Sequence, residues 1–321
     1  MARYLLRRTA FLLGSLLAAA GLLFLLLRML PGDPANALLS VGATPEQFAA
    51  ARRQIGSDRP LAEQFWTWLT GLARLDFGTS FVSRLPVGPE ISARLAVTVP
   101  LTLLSFALAV AVAVPVGFVA AWRSDRWYGA ALNAVSQLGI AVPVFWIGML
   151  LVTVFALRLR LLPAGGFPRD DWAEPGRALT ALALPVITIA LVMSASLIRY
   201  VRSATLDVLG SDYLRTARAL GSSFAGAMWR HGLRNAAVPV ISILGIELAT
   251  TFLGAVVVES VFTLPGLGTM LVEGIAEHDY PVIQGVLVVS TFGVLVIGFA
   301  ADLVQRLVDP RLRAHVSGGR R

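Results

Sequence analysis

Six long apolar runs constrain the fold of this chain more than any other feature. They cover residues 9–30, 97–121, 131–157, 178–199, 237–258 and 282–305. A helix that crosses a bilayer needs about 20 mostly apolar residues, and each run has that length. The composition agrees, since 56% of the 321 residues are hydrophobic and 14% are charged, whereas soluble domains are about a quarter charged. The sequence predicts an all-α polytopic membrane protein of about six transmembrane helices.

The first apolar run has a second interpretation, because it follows Arg3, Arg7 and Arg8 as the apolar core of a signal peptide would. Ala35-Asn36-Ala37 even resembles a small-residue cleavage site. Signal peptides have shorter apolar cores, of about 7–15 residues. We therefore expect a retained helix, and either interpretation places the following segment outside the cytoplasm.

The arginines predict the orientation of the spans. Cytoplasmic loops of membrane proteins carry an excess of basic residues. With the N-terminus inside, 16 of the 27 arginines face the cytoplasm, and seven of the others lie in the long 28–94 region, where the rule is weak. We expect a protein of the cell (inner) membrane whose two termini are both cytoplasmic. A long extracytoplasmic loop is expected after the first helix.

Missing residue types exclude several function classes. The chain has no lysine, so it lacks the lysine of the phosphate-binding loop of ATPases. It has no cysteine, and its three histidines are scattered, so no metal site is predicted. Its net charge is +8, but its arginines lie between apolar runs rather than on a basic patch of a soluble domain. This distribution argues against nucleic-acid binding. We expect no enzyme activity and no catalytic or cofactor-binding site in this chain.

The polar segment 31–96 contains a predicted amphipathic helix. Within Pro60–Leu69, apolar residues recur at helical spacing and include Trp66 and Trp68. Tryptophan is enriched at membrane interfaces. Resting on the outer interface and docking or gating against a partner are both open for this helix.

An arginine-rich stretch interrupts the apolar runs between the fourth and fifth predicted spans. Ser211–Leu220 suits a helix, Gly221 a C-terminal stop, and Ser222-Ser223 a new N-cap. A second helix is predicted over Phe224–Asn235, ending before Pro239, with Phe224, Met228 and Trp229 as an apolar stripe. Such a pair of cytoplasmic helices suits either an anionic lipid surface or a groove on a soluble partner.

The same stretch carries a family resemblance. Arg215-Thr-Ala-Arg-Ala-Leu-Gly221, followed by His231-Gly-Leu-Arg-Asn-Ala-Ala-Val-Pro239, resembles the EAA loop of ABC-importer permeases, and more narrowly that of the dipeptide/oligopeptide/nickel branch. Further motifs occur in the family's order along the whole chain: Leu30-Pro-Gly-Asp-Pro-Ala35, Asp58-Arg-Pro-Leu61, Asp76-Phe-Gly-Thr-Ser80, Val258-Glu259-Ser-Val-Phe262, Pro265-Gly-Leu-Gly268, Asp279-Tyr-Pro281 with Gln284-Gly285, Asp302 and Asp309-Pro-Arg311. The chain departs from the pattern at three positions. Arg218 stands in place of the glutamate that gives the EAA loop its name, Leu220 in place of a common lysine, and Ala96 in place of a usual proline.

The resemblance implies a domain organisation, partners and a site. Residues 1–96 would form the first helix and outer loop, 97–310 the transmembrane domain with a coupling loop at 203–236, and 311–321 a cytoplasmic tail. The partners would be a second, similar permease, two ATPase subunits that bind ATP and Mg, and an extracytoplasmic solute-binding protein. The loop that couples to the ATPase would include Arg215, Thr216, Ala217, Arg218, Ala219, Leu220, Gly221, Ser222, Phe224 and Ala225.

The expected function is that of one half of an ATP-driven import pathway. Short peptides are the favoured solute, with nickel or other chelates and glutathione as alternatives, and a secondary transporter as the alternative of another class. The pathway or gating candidates are Glu247, Glu259, Asp302, Pro143 and Phe145. Carboxylates are costly in lipid, so Glu247 either lines a polar pathway or makes a structural hydrogen bond.

For Pro115, Pro143 and Pro185 a kink is expected rather than a binding site. The motifs Pro265–Gly268 and Asp279–Pro281 suit either outer-loop architecture or receptor contact.

Overall fold

The computed structural model describes residues 2–29 and 44–308. The motif at 30–35, the possible cleavage site at 35–37, Asp309-Pro-Arg311 and the tail 311–321 lie outside these residues. Within them the chain is helical, and the only strand-like pairing is an isolated antiparallel bridge between Thr79 and Pro86.

Twelve α-helices follow one another along the described residues. They are α1 Ala2–Met29, α2 Pro45–Ile55, α3 Leu61–Ala73, α4 Val87–Trp122, α5 Trp127–Ala141, α6 Val144–Leu151, α7 Pro175–Leu209, α8 Asp212–Ala219, α9 Phe224–Ala227, α10 Leu233–Val261, α11 Leu267–Glu277 and α12 Tyr280–Val308. Two π-helical segments, Val152–Arg158 and Met228–Gly232, continue α6 and α9.

The predicted spans are present. Five of the described helices are long and apolar enough to cross a membrane: Tyr4–Met29, Val87–Trp122, Pro175–Leu209, Asn235–Val261 and Tyr280–Val308. The third predicted span is instead a pair, Trp127–Ala141 and Val144–Arg158, bent by 101°. Counting the bent pair as one span gives six, so the all-α polytopic fold is confirmed.

The bend of the third span lies at Pro143, which is the N-cap of α6. Val142 before it has extended backbone angles (φ −88°, ψ 126°), because the proline ring disfavours the helical region for the preceding residue. By contrast, Pro115 and Pro185 lie inside unbroken helices. Of the three prolines expected to kink a span, Pro143 therefore interrupts its helix outright.

Several helices extend beyond the apolar runs that predicted them. Helix α4 begins ten residues before the predicted start, at Val87, and α7 continues ten residues past the predicted end, to Leu209. Hydropathy detects the part of a helix that suits lipid, whereas a helix continues wherever its backbone bonds and packing favour it. Residues 203–209 of the predicted coupling loop thus belong to α7.

The first of two compact units comprises residues 2–29, 44–99 and 264–295. It contains the predicted amphipathic helix, α3, whose Trp68 ring lies 5.7 Å from that of Phe24 on α1. It also contains α2 and α11, which were not predicted. Helix α2 begins with a capping box between Thr44 and Gln47 and ends at Gly56, which has a left-handed φ of 69°.

A buried carboxylate links distant parts of the first unit. Asp279, between α11 and α12, is 2% exposed. Its Oδ2 accepts a hydrogen bond from Ser80 Oγ at 2.5 Å, and its Oδ1 accepts one from the Phe81 backbone N–H at 3.1 Å. The turn is closed by the Ser80 N–H, which donates to the Leu85 carbonyl at 2.9 Å. The turn at 76–86 is therefore fixed to the start of α12.

The second unit comprises residues 100–263 and 296–308. Its core joins α4 to α7 through a cluster of buried residues: Ala109, Ala113, Ala190, Met193, Leu197 and Ile198. Small residues allow close helix contact in membranes. A Cβ at Gly117 would lie 2.8 Å from Val201 Cβ, so α4 and α7 touch where only glycine fits.

Candidate functional site

The predicted first helix of the arginine-rich stretch is present as α8, and its end has a defined cap. Gly221 has a left-handed φ of 90°. Its N–H donates to the Arg218 carbonyl at 3.0 Å, and the Ser222 N–H donates to the Ala217 carbonyl at 3.1 Å. This pair of bonds is a Schellman motif, which glycine favours because it lacks a Cβ. The predicted stop at Gly221 corresponds to this motif.

The second helix begins as predicted but does not end as predicted. Ser223 is the N-cap of α9, and its Oγ accepts a hydrogen bond from the Gly226 N–H at 3.2 Å. From Phe224 the chain continues through the π-helical segment into α10, and Pro239 lies inside that helix. The predicted end before Pro239 is wrong. Within lipid, a single segment can satisfy its own backbone hydrogen bonds only as a helix. The helix therefore continues despite the proline.

Trp229 does not belong to an apolar stripe. Met228 is 5% exposed, whereas Trp229 is 77% exposed. Met228 and Trp229 are neighbours in the π-helical segment Met228–Gly232, so their side chains point in different directions. With Met228 facing inward, Trp229 therefore faces outward, and its place in the predicted stripe is wrong.

The base of the stretch packs on the second unit. Leu214 of α8, Ala227 of α9 and Met228 form a buried cluster with Val208 at the end of α7. The Phe224 ring stacks on the Trp122 ring at the end of α4, with 5.6 Å between centroids and 11° between planes. No local pattern in the sequence pairs Trp122 with Phe224. Both α8 and α9 are thereby attached to the ends of spanning helices.

The tip of the stretch is exposed. Residues 218–223 all lie at the surface, and Leu220, an apolar residue, is 82% exposed. Of the other predicted coupling residues, Arg215, Thr216 and Ala225 are exposed, while Ala217 and Phe224 are partly buried. Arg215 forms an exposed ion pair with Asp212 at 3.6 Å. The structure thus combines an anchored base with a solvent-facing cap that bears Leu220 and Gly221.

The carboxylate of Glu247, deep in α10, has a partner on α7. Ser196 Oγ donates a hydrogen bond to Glu247 Oε1 at 2.7 Å, and Glu247 is partly buried. Ser196 was missed at the sequence level, although a hydroxyl within an apolar run was a signal that could have identified it. The bond joins α7 to α10 inside the second unit.

The remaining pathway candidates occupy different places. Glu259 is fully buried near the end of α10, about 18 Å along the helix from Glu247 at 1.5 Å per residue. Asp302 is partly buried on α12. Pro143 caps α6, and Phe145 in the first turn of α6 is 46% exposed. The five candidates thus lie on, or directly before, three different helices: α6, α10 and α12.

Comparisons with known proteins cover nearly the whole chain. The family model described as "Binding-protein-dependent transport system inner membrane component" matches residues 113–314, and the model of its N-terminal region matches residues 1–102. The glutathione transport system permease protein GsiC of Salmonella typhi is 37% identical over 313 residues, which cover 98% of this chain and 99% of that protein. GsiC of Escherichia coli K12 is 36% identical with the same coverage.

Among solved structures, an inward-facing MetNI methionine ABC transporter matches with a TM-score of 0.57 and 17% identity. The match covers 68% of this chain and 96% of that chain, and it supports the fold alone. The family models and the GsiC relatives go further. On their evidence, this chain belongs to the binding-protein-dependent transport system inner membrane components, the permease subunits of ABC importers.

Proposed function

We propose that this permease imports short peptides, among them glutathione, which is a tripeptide with one γ-linkage. The GsiC relatives, named for glutathione transport, support this solute class. Because the chain belongs to an ABC-importer family, the secondary transporter is no longer an alternative. Nickel or another chelate stays the alternative solute, although no group of three His, Cys, Asp or Glu that could hold a bare metal is found among the described residues.

The exposed cap at Leu220 and Gly221 is the docking element for an ATPase subunit in this proposal. The observation that carries it is the contrast between the solvent-facing tip and the packed base of the same stretch. An apolar residue beside a tight helix cap, flanked by Arg215 and Arg218, has the features of a short helix that enters a groove on a soluble partner. ATP and Mg are then bound by that partner.

The anchored base gives a route for mechanical coupling. Movement of the cap reaches α4 through the stack of Phe224 on Trp122, and it reaches α7 through Leu214 against Val208. Packed elements move as units because close-packed interiors do not deform continuously. Closure of the ATPase subunits would therefore shift the ends of two spanning helices together.

The complex would contain a second, similar permease, two ATPase subunits and an extracytoplasmic binding protein. In this arrangement both termini and the 211–232 stretch are cytoplasmic, and α2 and α3 are extracytoplasmic. Glu247, Glu259, Asp302, Pro143 and Phe145 remain proposed pathway or gating residues. For Glu247 we favour the structural role, because its Oε1 accepts a hydrogen bond from Ser196.

A single engineered cysteine tests the docking site, because the natural chain has none. Ser222→Cys should crosslink to an ATPase subunit in the assembled complex, while Ser260→Cys, exposed at the other end of α10, should not. An impermeant maleimide should label Ser222→Cys in inside-out vesicles alone. Labelling from the outer side would refute the orientation, and a folded complex without the crosslink would refute the docking role.

Uptake by the reconstituted complex tests the solute. Proteoliposomes supplied with the binding protein and ATP should accumulate labelled glutathione or dialanine. Accumulation of a nickel chelate without either peptide would contradict the peptide proposal and favour the alternative.

A further inference from the structure

The first unit contains a half-open cavity, lined by charged and apolar side chains, that the proposed coupling mechanism does not use. Its volume is about 690 Å³, within the range of about 300–1,000 Å³ typical of small-molecule sites. Its wall is formed by the end of α1, the 53–84 region and the start of α12. Because most of this wall comes from segments outside the spans, the cavity lies on the side that we propose to be extracytoplasmic.

The charged side chains of the cavity wall are mainly cationic. Arg28, Arg53, Arg59 and Arg84 line it, and Asp76 is the one carboxylate among the residues that form it. Arg59 pairs with Glu63 at 3.2 Å, but both side chains are more than half exposed, and such pairs are weak. A concave surface with this excess of positive charge attracts anions. Arginine is also suited to paired hydrogen bonds with a carboxylate.

A buried acceptor at the cavity lacks a donor. Gln64 Nε2 donates to the Arg59 carbonyl at 2.7 Å and to the Ser57 carbonyl at 3.3 Å. These two bonds fix the orientation of the amide, and Gln64 Oε1 is left buried without a hydrogen-bond partner. Buried polar atoms are almost always paired. Gln64 therefore holds together the chain segments that form this part of the wall.

The backbone around the cavity is held in fixed positions. Arg84 has a left-handed φ of 62°, which is uncommon for a residue other than glycine and is found at functional sites. It belongs to the turn that Asp279 fixes through Ser80 and Phe81. Gly56, another left-handed residue of the wall, lies between Arg53 and Arg59 in the sequence. Such preorganisation lowers the cost of ordering side chains on binding.

We propose that this cavity binds the transported solute through its carboxylate. The arginines take the carboxylate group, and the partly buried ring of Trp68 contacts the apolar part of the solute. The solute would occupy this site between leaving the binding protein and entering the pathway. The identity of the solute rests on the proposed function, whereas the preference for a carboxylate rests on the cavity itself.

Cysteine protection tests the cavity in the full-length permease in phosphatidylcholine nanodiscs, without ATPase or binding protein. Thr67→Cys places a thiol in the cavity wall, and Thr70→Cys places one on the same helix outside it. S-methylglutathione is the probe, because it has no free thiol. A bound ligand covers the wall, so the probe should slow maleimide labelling of Thr67→Cys by about threefold or more and leave Thr70→Cys unchanged.

Matched probes and variants make the test specific for charge. The diethyl ester of S-methylglutathione, without carboxylates, should not protect Thr67→Cys. Arg53→Gln with Arg84→Gln should abolish protection, and Arg52→Gln, outside the wall, should retain it. A monodisperse peak in size-exclusion chromatography and an unchanged melting temperature show that each variant is folded.

Three outcomes would overturn the proposal: no protection by the probe, equal protection by the ester, or protection that appears on adding phosphatidylglycerol without any probe. The last result would identify a lipid headgroup as the anion. None of these outcomes bears on the crosslink between Ser222→Cys and the ATPase, so failure of the cavity and failure of the docking role can be told apart.

Discussion

The rings of Trp122 and Phe224 stack nearly parallel, with 5.6 Å between centroids, and they join the end of α4 to the start of α9. Removing one ring removes an aromatic contact of about 0.5–1.5 kcal/mol beyond its buried area. We expect Trp122→Ala to lower the number of solute molecules imported per ATP hydrolysed while the ATPase subunits still bind. Trp127→Ala, at a position that is 81% exposed, is the control. An unchanged ratio in Trp122→Ala would contradict coupling through this stack.

Gly221→Ala should weaken binding of the ATPase subunits. A Cβ at Gly221 meets nothing within 4 Å, so the effect comes from the left-handed φ of 90° and not from a clash. Strain of this kind costs about 1 kcal/mol or more, which corresponds to about fivefold or more in affinity. Gly210→Ala is the matched control, since Gly210 has a φ of −79° and room for a Cβ. Equal affinities of the two variants, measured on purified permease, would disprove this role of the Gly221 cap.

Glu247→Gln should transport at nearly the normal rate, because its amide oxygen still accepts the hydrogen bond from Ser196. Glu247→Leu should reduce the thermal stability of the permease, since the partly buried Ser196 hydroxyl loses its partner on α10, at a cost of about 1 kcal/mol. Transport rates and melting temperatures of both variants check the expectation. A stable Glu247→Gln protein that fails to transport would assign the charge to the pathway instead.

Asp279→Ala should release the turn at 76–86. The change removes hydrogen bonds from Ser80 and Phe81 to a carboxylate, and each such bond contributes about 1.5–3 kcal/mol. We expect faster trypsin cleavage after Arg84, detected by mass spectrometry of the fragments. Glu277→Ala, at an exposed position two residues away, should be cleaved like the natural protein. Protection of Arg84 in Asp279→Ala would show that other contacts hold the turn.

The sequence predicted the spans and the first half of the arginine-rich stretch because both depend on local signals. Apolar length identifies a membrane helix, and Gly221 followed by Ser223 marks the end of one helix and the start of another. The continuation through Pro239 was missed because the effect of a proline on a helix depends on its surroundings, which a sequence window does not contain.

Contacts between distant residues were beyond the same reasoning. The partners Trp122 and Phe224 are separated by about a hundred residues of sequence. Arg84 and Tyr280, which both line the cavity, are separated by an even longer stretch. No periodicity relates such positions, since helical spacing relates only residues within a few turns of one another. The arginines around the cavity were counted in predicting orientation, yet their shared surface depends on how α2, α3 and the following turn fold.

The carboxylate of Asp279 also constrains the order in which the molecule can be made. Its hydrogen-bond partners, Ser80 and Phe81, leave the ribosome almost two hundred residues earlier. Chains generally begin to fold from the N-terminus during synthesis, but here the turn at 76–86 gains its anchor only after α11 has been synthesised. Until then the early segment is exposed without its main polar contact. Truncation before Asp279 would therefore leave the N-terminal third, although complete in sequence, open to proteolysis.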